Sequence, residues 1–377
     1  MKCLISITKL PNLTLLYFFL LFLFKVFLNF IKKEFRKNNN NIKDDNFRFL
    51  FLIFMCLGEC LSIVYFIIRY LKTKNEKDEL NNENFNIQEL SKSYIFYINN
   101  YKNDYHNFGS FFSFLKDYKI ILIIFLISLS DFINSMFLFK YAVNFYGVSG
   151  LTGLILYKIL FKYQIYKHHI LSIIILVISS IVQIIISFLK QSKSDKEVNY
   201  ATKTIFETIY NIFVGMYIIL IKYLIDIKHI ESLIILFLQG IFELLISIFY
   251  YFIFNFNNII IYIKQFFSLN LIDYLLLILF LICVSFYNVL IYLLSENTPS
   301  IYNLFIFNMA VYFSYFIFNS IKEYLKGLLL ITFILNIINI IAMLIFVEFF
   351  VLNFCGLNFN CRISIRKREI EEKKIID

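Results

Sequence analysis

The sequence predicts an all-α membrane protein of about ten transmembrane helices, arranged as two five-helix halves. Three observations predict it. Apolar residues make up 60% of the 377-residue chain and charged residues only 16%, whereas a soluble globular chain holds roughly 45–50% and 25%. Mean hydropathy is +0.74, and the excess Phe, Ile and Leu fall in runs of roughly 20 residues, the length that crosses the hydrocarbon core of a bilayer. A polar interval at residues 190–204 then divides these runs into two equal sets.

Residues 1–12 form an N-terminal tail. The first run, 13–31, follows Lys2 and Lys9 and lacks a small-residue cleavage site, so it reads as a retained span. The second run is 47–70. A polar loop at 71–116, rich in Asn, Lys, Glu and Asp, is expected to be disordered. Residues 120–161 are almost unbroken apolar sequence. As one helix they would be roughly 60 Å long, twice the bilayer core. They must therefore turn back, and Lys140 and Asn144 place the break at about residues 141–146, giving spans three and four. Span five, 170–189, follows a basic corner at 162–169. Beyond the polar hinge come runs at 205–224, 232–254, 271–294, 300–321 and 325–349, then a charged tail at 350–377.

Part of the composition is drift rather than physics. Asn, Lys, Ile, Phe and Tyr are over-used, Trp is absent and Pro occurs twice, the mark of an AT-rich coding sequence. The run Asn38-Asn39-Asn40-Asn41 reads as linker. The net charge of +10 is scattered over loops and helix ends, which argues against a nucleic-acid partner and for loops facing anionic lipid. Basic residues weakly favour a cytosolic N-terminus, with Lys32, Lys33, Arg36 and Lys37 against the trend. An even number of spans puts both termini on one side.

The six cysteines, Cys3, Cys56, Cys60, Cys283, Cys355 and Cys361, form no paired extracellular framework. Cys355 and Cys361 lack the further ligands of a zinc site. No Ser–His–acid set, phosphate loop or HExxH helix is visible, and His106, His168, His169 and His229 lie in loops or at helix ends. No catalytic residue, cofactor or metal site is expected.

A charge in the middle of a span costs about 2.5–3.5 kcal/mol on insertion scales, so each one needs a reason. Glu59 stands halfway along span two. Asp131 is central in span three, with Ser128, Asn134 and Ser135 within a turn, and spacings of three and four put Ser128, Asp131 and Ser135 on one face. Span four opens Tyr146-Gly147-Val148-Ser149-Gly150-Leu151-Thr152-Gly153, where small residues allow a neighbouring helix to approach closely. In the second half Glu207 pairs with Asn211 and Gln239 with Glu243 at one-turn spacing, while Ser285, Asn288 and Tyr292 share a face. Span nine begins Thr298-Pro299-Ser300 and carries Asn303 and Asn308. Each of these groups admits two readings, a hydrogen bond between helices or a place on a polar path.

Several segments together resemble the drug/metabolite transporter superfamily, in its solute carrier family 35 and EamA-like branch that includes nucleotide-sugar transporters. Phe51-Leu52-Ile53-Phe54-Met55-Cys56-Leu57-Gly58-Glu59 is similar to the family's "LMFLGE" helix. Ser130-Asp131, followed by Phe137 to Gly147, resembles its third span leading into a short fourth. The stretch from Ile159 to His169 and Leu171 is similar to its basic corner, Tyr217 to Gly240 to its sixth-to-seventh junction, and Phe286-Tyr287-Asn288 with Thr298 to its "FFN…T" region. The family's Pro before the LGE helix is absent here, and its Trp at the fifth span is replaced. The resemblance covers roughly residues 47–349 and implies two inverted five-helix repeats around a central cavity, working by alternating access. It implies a transporter of a small polar metabolite in a multi-pass intracellular endomembrane, with the plasma membrane as the other location. Partners would be the lipid bilayer and a small-molecule substrate, with a homodimer allowed for. The cavity candidates are Glu59, Asp131, Asn134, Ser135, Ser149, Thr152, Glu243 and Asn288. Two other classes stay open: a non-transporting membrane scaffold or receptor that retains the fold, and an integral-membrane enzyme.

Overall fold

A computed structural model describes residues 5–7, 12–39, 44–82, 114–138, 146–161, 166–191, 200–254, 263–264, 266–297, 328–346 and 350–352. In chain order the elements are β1 (Ile5–Ile7), α1 (Asn12–Asn38), α2 (Asp44–Cys60), α3 (Ser62–Asn82), α4 (Tyr118–Leu138), α5 (Tyr146–Phe161), α6 (Lys167–Gln191), α7 (Tyr200–Asp226), α8 (Ser232–Phe254), α9 (Leu271–Asn297), α10 (Leu328–Phe346) and β2 (Phe350–Leu352). Helices therefore dominate, as the apolar runs predict. Beside them β1 and β2 form a short antiparallel pair in which Ile5 faces Leu352 and Ile7 faces Phe350.

Five of the described helices are long and apolar enough to cross a membrane: Phe49–Lys72, which combines α2 and α3, then Lys167–Ile186, Thr208–Asp226, Ser232–Phe254 and Leu271–Glu296. The long apolar run at 120–161 does contain two helices, α4 and α5, on either side of residues 139–145. α3 continues into the polar segment as far as Asn82. The ninth expected span, 300–321, and the charged tail beyond residue 352 lie outside the described residues, as does most of the hinge.

The packing is inverted relative to a water-soluble protein. Along α6, Ile170, Ile174, Ile178, Ile181 and Ile185 form an exposed stripe at helical spacing, while Ser172, Ser179, Ser180 and Gln183 are buried. Water would reverse this arrangement; hydrocarbon favours it, because only the protein interior offers hydrogen-bond partners. Ser172 and Ser180 donate to the carbonyls of His168 and Leu176 four residues back, the local solution for a hydroxyl on a buried helix face. α8 shows the same polarity, with Leu245, Ile248, Phe249 and Phe252 exposed and Gln239, Glu243 and Ser247 buried. The chain is an integral membrane protein by the length, composition and facing of these helices.

The chain separates into two compact units, one made of Met1–Val26, Ile133–Ile219 and Pro299–Asp377, the other of Phe27–Phe132 and Leu220–Thr298. In the first unit α6 packs against α5 and α10, and α10 meets β2. His168 and His169 stack beside Tyr166 at the start of α6, and the His169 ring lies 4.5 Å from Phe346 of α10. Gly215 of α7 lies against the glycine-rich start of α5: a methyl group there would stand 2.5 Å from the Ser149 carbonyl oxygen and 3.0 Å from the Gly153 nitrogen.

In the second unit α2 packs between α8 and α9, α8 also touches α9, and α3 lies on α8. Phe51 of α2 sits edge-on to Phe280 of α9 at 4.7 Å and to Phe35 of α1 at 5.3 Å, close to the favoured aromatic geometry. The Lys32 ammonium covers the Phe280 ring at 5.4 Å. Two glycines set the helix spacing. A methyl on Gly240 of α8 would come within 2.8 Å of Glu59 Cβ and 2.9 Å of both the Cys56 carbonyl oxygen and the Cys60 nitrogen. A methyl on Gly58 of α2 would meet α9 at the Leu281 carbonyl oxygen, 3.0 Å away. Small residues at a crossing let backbones touch, which is the main source of helix association in lipid.

The three glycines should rank by these distances. Gly240→Ala and Gly215→Ala should each lower the apparent melting temperature of the detergent-purified chain, with a cost of about 1–3 kcal/mol typical of overpacking. Gly58→Ala, whose neighbours are less close, should cost less. Equal melting of all three variants would contradict the crossing geometry.

Candidate functional site

The carboxylates singled out from the sequence converge. Glu59 of α2, Asp131 of α4 and Glu243 of α8 each place one oxygen within 4.8 Å of the other two. All three belong to the second unit. Glu59 and Glu243 are completely buried. Asn288 of α9 donates from Nδ2 to Glu59 Oε1 at 2.9 Å, and Gln239 of α8 donates from Nε2 to Asp131 Oδ2 at 2.7 Å. The Tyr292 hydroxyl of α9 in turn hydrogen-bonds to Gln239 Oε1, which leaves the amide nitrogen of Gln239 aimed at Asp131. Tyr292, Gln239 and Asp131 thus form a chain across three helices.

Local sequence explains why these groups face one another. Gln239 and Glu243 are one turn apart on α8, as are Asn288 and Tyr292 on α9, so each pair lies on one face. Gly240, between the α8 pair, brings Glu59 against α8. Ser247, a turn beyond Glu243, donates to the Glu243 carbonyl at 2.7 Å and lies 4.0 Å from Cys56 Sγ. Cys56, Cys60 and Cys283 are free thiols.

The cluster carries a heavy electrostatic load. Two ionised carboxylates 4.8 Å apart repel by about 3–4 kcal/mol even at an effective dielectric of 20. Three such pairs at a site where two of the acids are fully buried cannot persist as charges without protons or a cation to balance them. One oxygen of Glu59 and both of Glu243 are buried without a hydrogen-bond partner.

The other expected site residues are placed differently. Ser149 and Thr152 of α5 lie in the first unit, where they meet Gly215 of α7. Ser135 is buried on the part of α4 assigned to that unit, and the side chain of Asn134 is outside the described residues. Ser128, on the expected polar face, donates to the Ile124 carbonyl within its own helix.

A second charged cluster was not anticipated from the sequence. Arg69 of α3 grips Glu296 of α9 through both of its terminal nitrogens, at 2.8 and 3.0 Å, and reaches Glu231 at 3.2 Å. Ser232, the first residue of α8, donates to Glu296 at 3.2 Å. Nearby, Lys222 pairs with Asp226 at 2.9 Å and donates to the Ser295 carbonyl near the end of α9, where a cation suits the negative end of the helix dipole. The α7–α8 turn is closed by His229 at φ 54° and by the Ile230 amide donating to the Leu224 carbonyl at 3.1 Å, a left-handed C-terminal cap usually given to glycine. The available signal was a set of opposite charges at the ends of three apolar runs. From Glu231 to Glu243 a helix rises about 18 Å, roughly half a membrane, so the two clusters mark two depths.

No protein-family model matches the chain, and comparison with curated proteins likewise finds no match.

Burial holds the Glu231 acid at about 7, against an ordinary 4.5, with Arg69 opposing the shift and Glu296 adding to it. The proton that folded Glu231 retains stabilises the native state fully below pH 4.5, and this contribution is lost as pH rises to about 7. The melting temperature should therefore fall between pH 5 and 7.5, and Glu231→Gln should flatten that decline. Parallel pH profiles for variant and wild type would show that Glu231 carries none of it.

Proposed function

We propose that this chain is a transmembrane transporter that moves a small polar metabolite by alternating access through a central cavity, in the manner of the drug/metabolite transporter superfamily and its solute carrier family 35 and EamA-like branch. The observation that carries this reading is the Glu59, Asp131 and Glu243 cluster with its Gln239, Asn288 and Tyr292 partners. Packing alone gives a membrane protein no reason to gather three acids at one depth of its spans, each costing kilocalories to insert. A path for polar cargo supplies the reason, since polar groups at mid-membrane mark substrate and ion pathways. In this reading Asp131, Glu59 and Asn288 line or brace the path, and no catalytic step takes place.

The reading includes ten spans in two inverted repeats, with both termini cytosolic, in an intracellular endomembrane. The apolar runs support it, and so does the β1–β2 pair, which sets residues 5–7 beside residues 350–352. Ends that meet outside the bilayer require an even number of crossings between them. Reporters fused after Lys190 and Asp377 should then appear on opposite sides of the membrane, and finding both on one side would refute this map.

Transport is tested with the purified chain in proteoliposomes, using a panel of radiolabelled nucleotide sugars and other small polar metabolites. Asp131→Asn keeps the shape and most of the hydrogen bonding to Gln239, so it should purify and melt like wild type. It should reduce flux about tenfold or more, the scale of one lost charge-assisted hydrogen bond. Unchanged flux at every pH would reduce Asp131 to a structural contact. Absence of flux for the whole panel in wild type would favour the scaffold or receptor reading.

A further inference from the structure

We propose that Glu59, Asp131 and Glu243 bind a hard cation of calcium size. Distance is the first argument. Oxygens on opposite sides of a calcium ion, each about 2.3–2.6 Å from it, are about 4.6–5.2 Å apart. The three carboxylates already offer oxygens mutually within 4.8 Å, a spread that the ligands of one such ion can span. Magnesium demands a near-ideal octahedron at about 2.0–2.1 Å and gives up its waters reluctantly, so a cage of three carboxylates suits it less.

Unpartnered oxygens supply the second, independent argument. Both oxygens of fully buried Glu243 and the Oε2 of Glu59 have no hydrogen-bond donor, and neither does the buried hydroxyl of Ser285, one turn before Asn288 on α9. The amides of Asn288 and Gln239 each serve one oxygen, on Glu59 and on Asp131. That leaves three carboxylate oxygens to satisfy. A proton shared between Glu59 and Glu243 satisfies two of them, whereas a divalent cation can meet all three and neutralises two charges. The charged groups that act on Glu59 are Glu243 and Asp131, both of them acids.

Ligand chemistry fixes the class of ion. The converging atoms are all carboxylate oxygens; the thiols of Cys56 and Cys60 are not among them. Oxygen-only sites select hard cations over zinc or copper. Such a cation would hold α2, α4 and α8 together as a mid-membrane clasp.

The test uses the full chain purified in detergent, without any measurement of flux, so its failure would leave the transport reading untouched. Equilibrium binding of radioactive calcium should saturate near one ion per chain. Calcium should raise the melting temperature by about 3 °C or more, magnesium at equal concentration should raise it less, and sodium at matched ionic strength should have no effect. Glu243→Gln should abolish both the binding and the stabilisation. If that variant fails to fold, the wild-type binding isotherm decides alone. No saturable calcium binding at millimolar concentration would overturn the proposal and leave the cluster holding protons only. Equal stabilisation by magnesium and calcium would overturn the size assignment.

Discussion

The contact of α8 with α2 at Gly240 is the constraint on which the second unit depends. A side chain there would collide with backbone atoms of Cys56 and Cys60, not merely with a movable side chain. Close contact brings Glu59 within reach of Glu243 and places Gln239 where it can serve Asp131. Gly58 plays the same part toward α9, which approaches closely there and brings Asn288 to Glu59. Lipid provides no hydrophobic drive for helices to associate, so close van der Waals packing and interhelical hydrogen bonds must supply it. In this unit both come from the same few residues: glycines set the spacing, and the polar groups between them make the hydrogen bonds.

Charge is handled in opposite ways at two depths. Near the end of the Phe49–Lys72 span, the ends of α7 and α9 and the start of α8, acids and bases neutralise one another: Arg69 takes Glu296 and Glu231, and Lys222 takes Asp226. Charged residues belong at a membrane interface, where water and headgroups lower the cost of ionisation. Some 18 Å along the helices, three acids meet with amides and a phenol as their hydrogen-bonding neighbours. An arrangement with compensating bases is structural glue of an ordinary kind. In the inner cluster the groups that act on Glu59 are themselves acids, and this difference is why the proposed path is drawn through the inner cluster and not the outer one.

The same residue types serve different ends in the two units. The Ser149–Gly153 stretch has the composition of a substrate-contacting turn, yet Ser149 and Thr152 meet Gly215, the close-packing use of small residues. Ser128 and Ser130 donate to carbonyls of their own helix. A hydroxyl on a buried helix always has that local option, so its presence in a span says little. A carboxylate has no such option, because it cannot donate when ionised and the helix amides are already engaged.

Hydropathy by itself determined the membrane class and the course of the five apolar helices found among the described residues. The expected and observed boundaries at 232–254 coincide, and those at 170–189, 205–224 and 271–294 differ by a few residues. Crossing a bilayer is a local property of some 20 consecutive residues and needs no knowledge of neighbours. Mid-span acids were legible for the same reason, since Glu59, Asp131 and Glu243 are conspicuous against apolar sequence. Which of them meet was decided only in three dimensions. Asn288 lies 229 residues from Glu59, and Gln239 lies 108 from Asp131; no periodicity within one helix reports on such a pair. Nor could sequence show that Arg69 would hold two acids from separate spans, or that Glu243 would be left without a donor. Those outcomes follow from how closely helices pack, and in lipid that distance is set by glycines whose partners lie elsewhere in the chain.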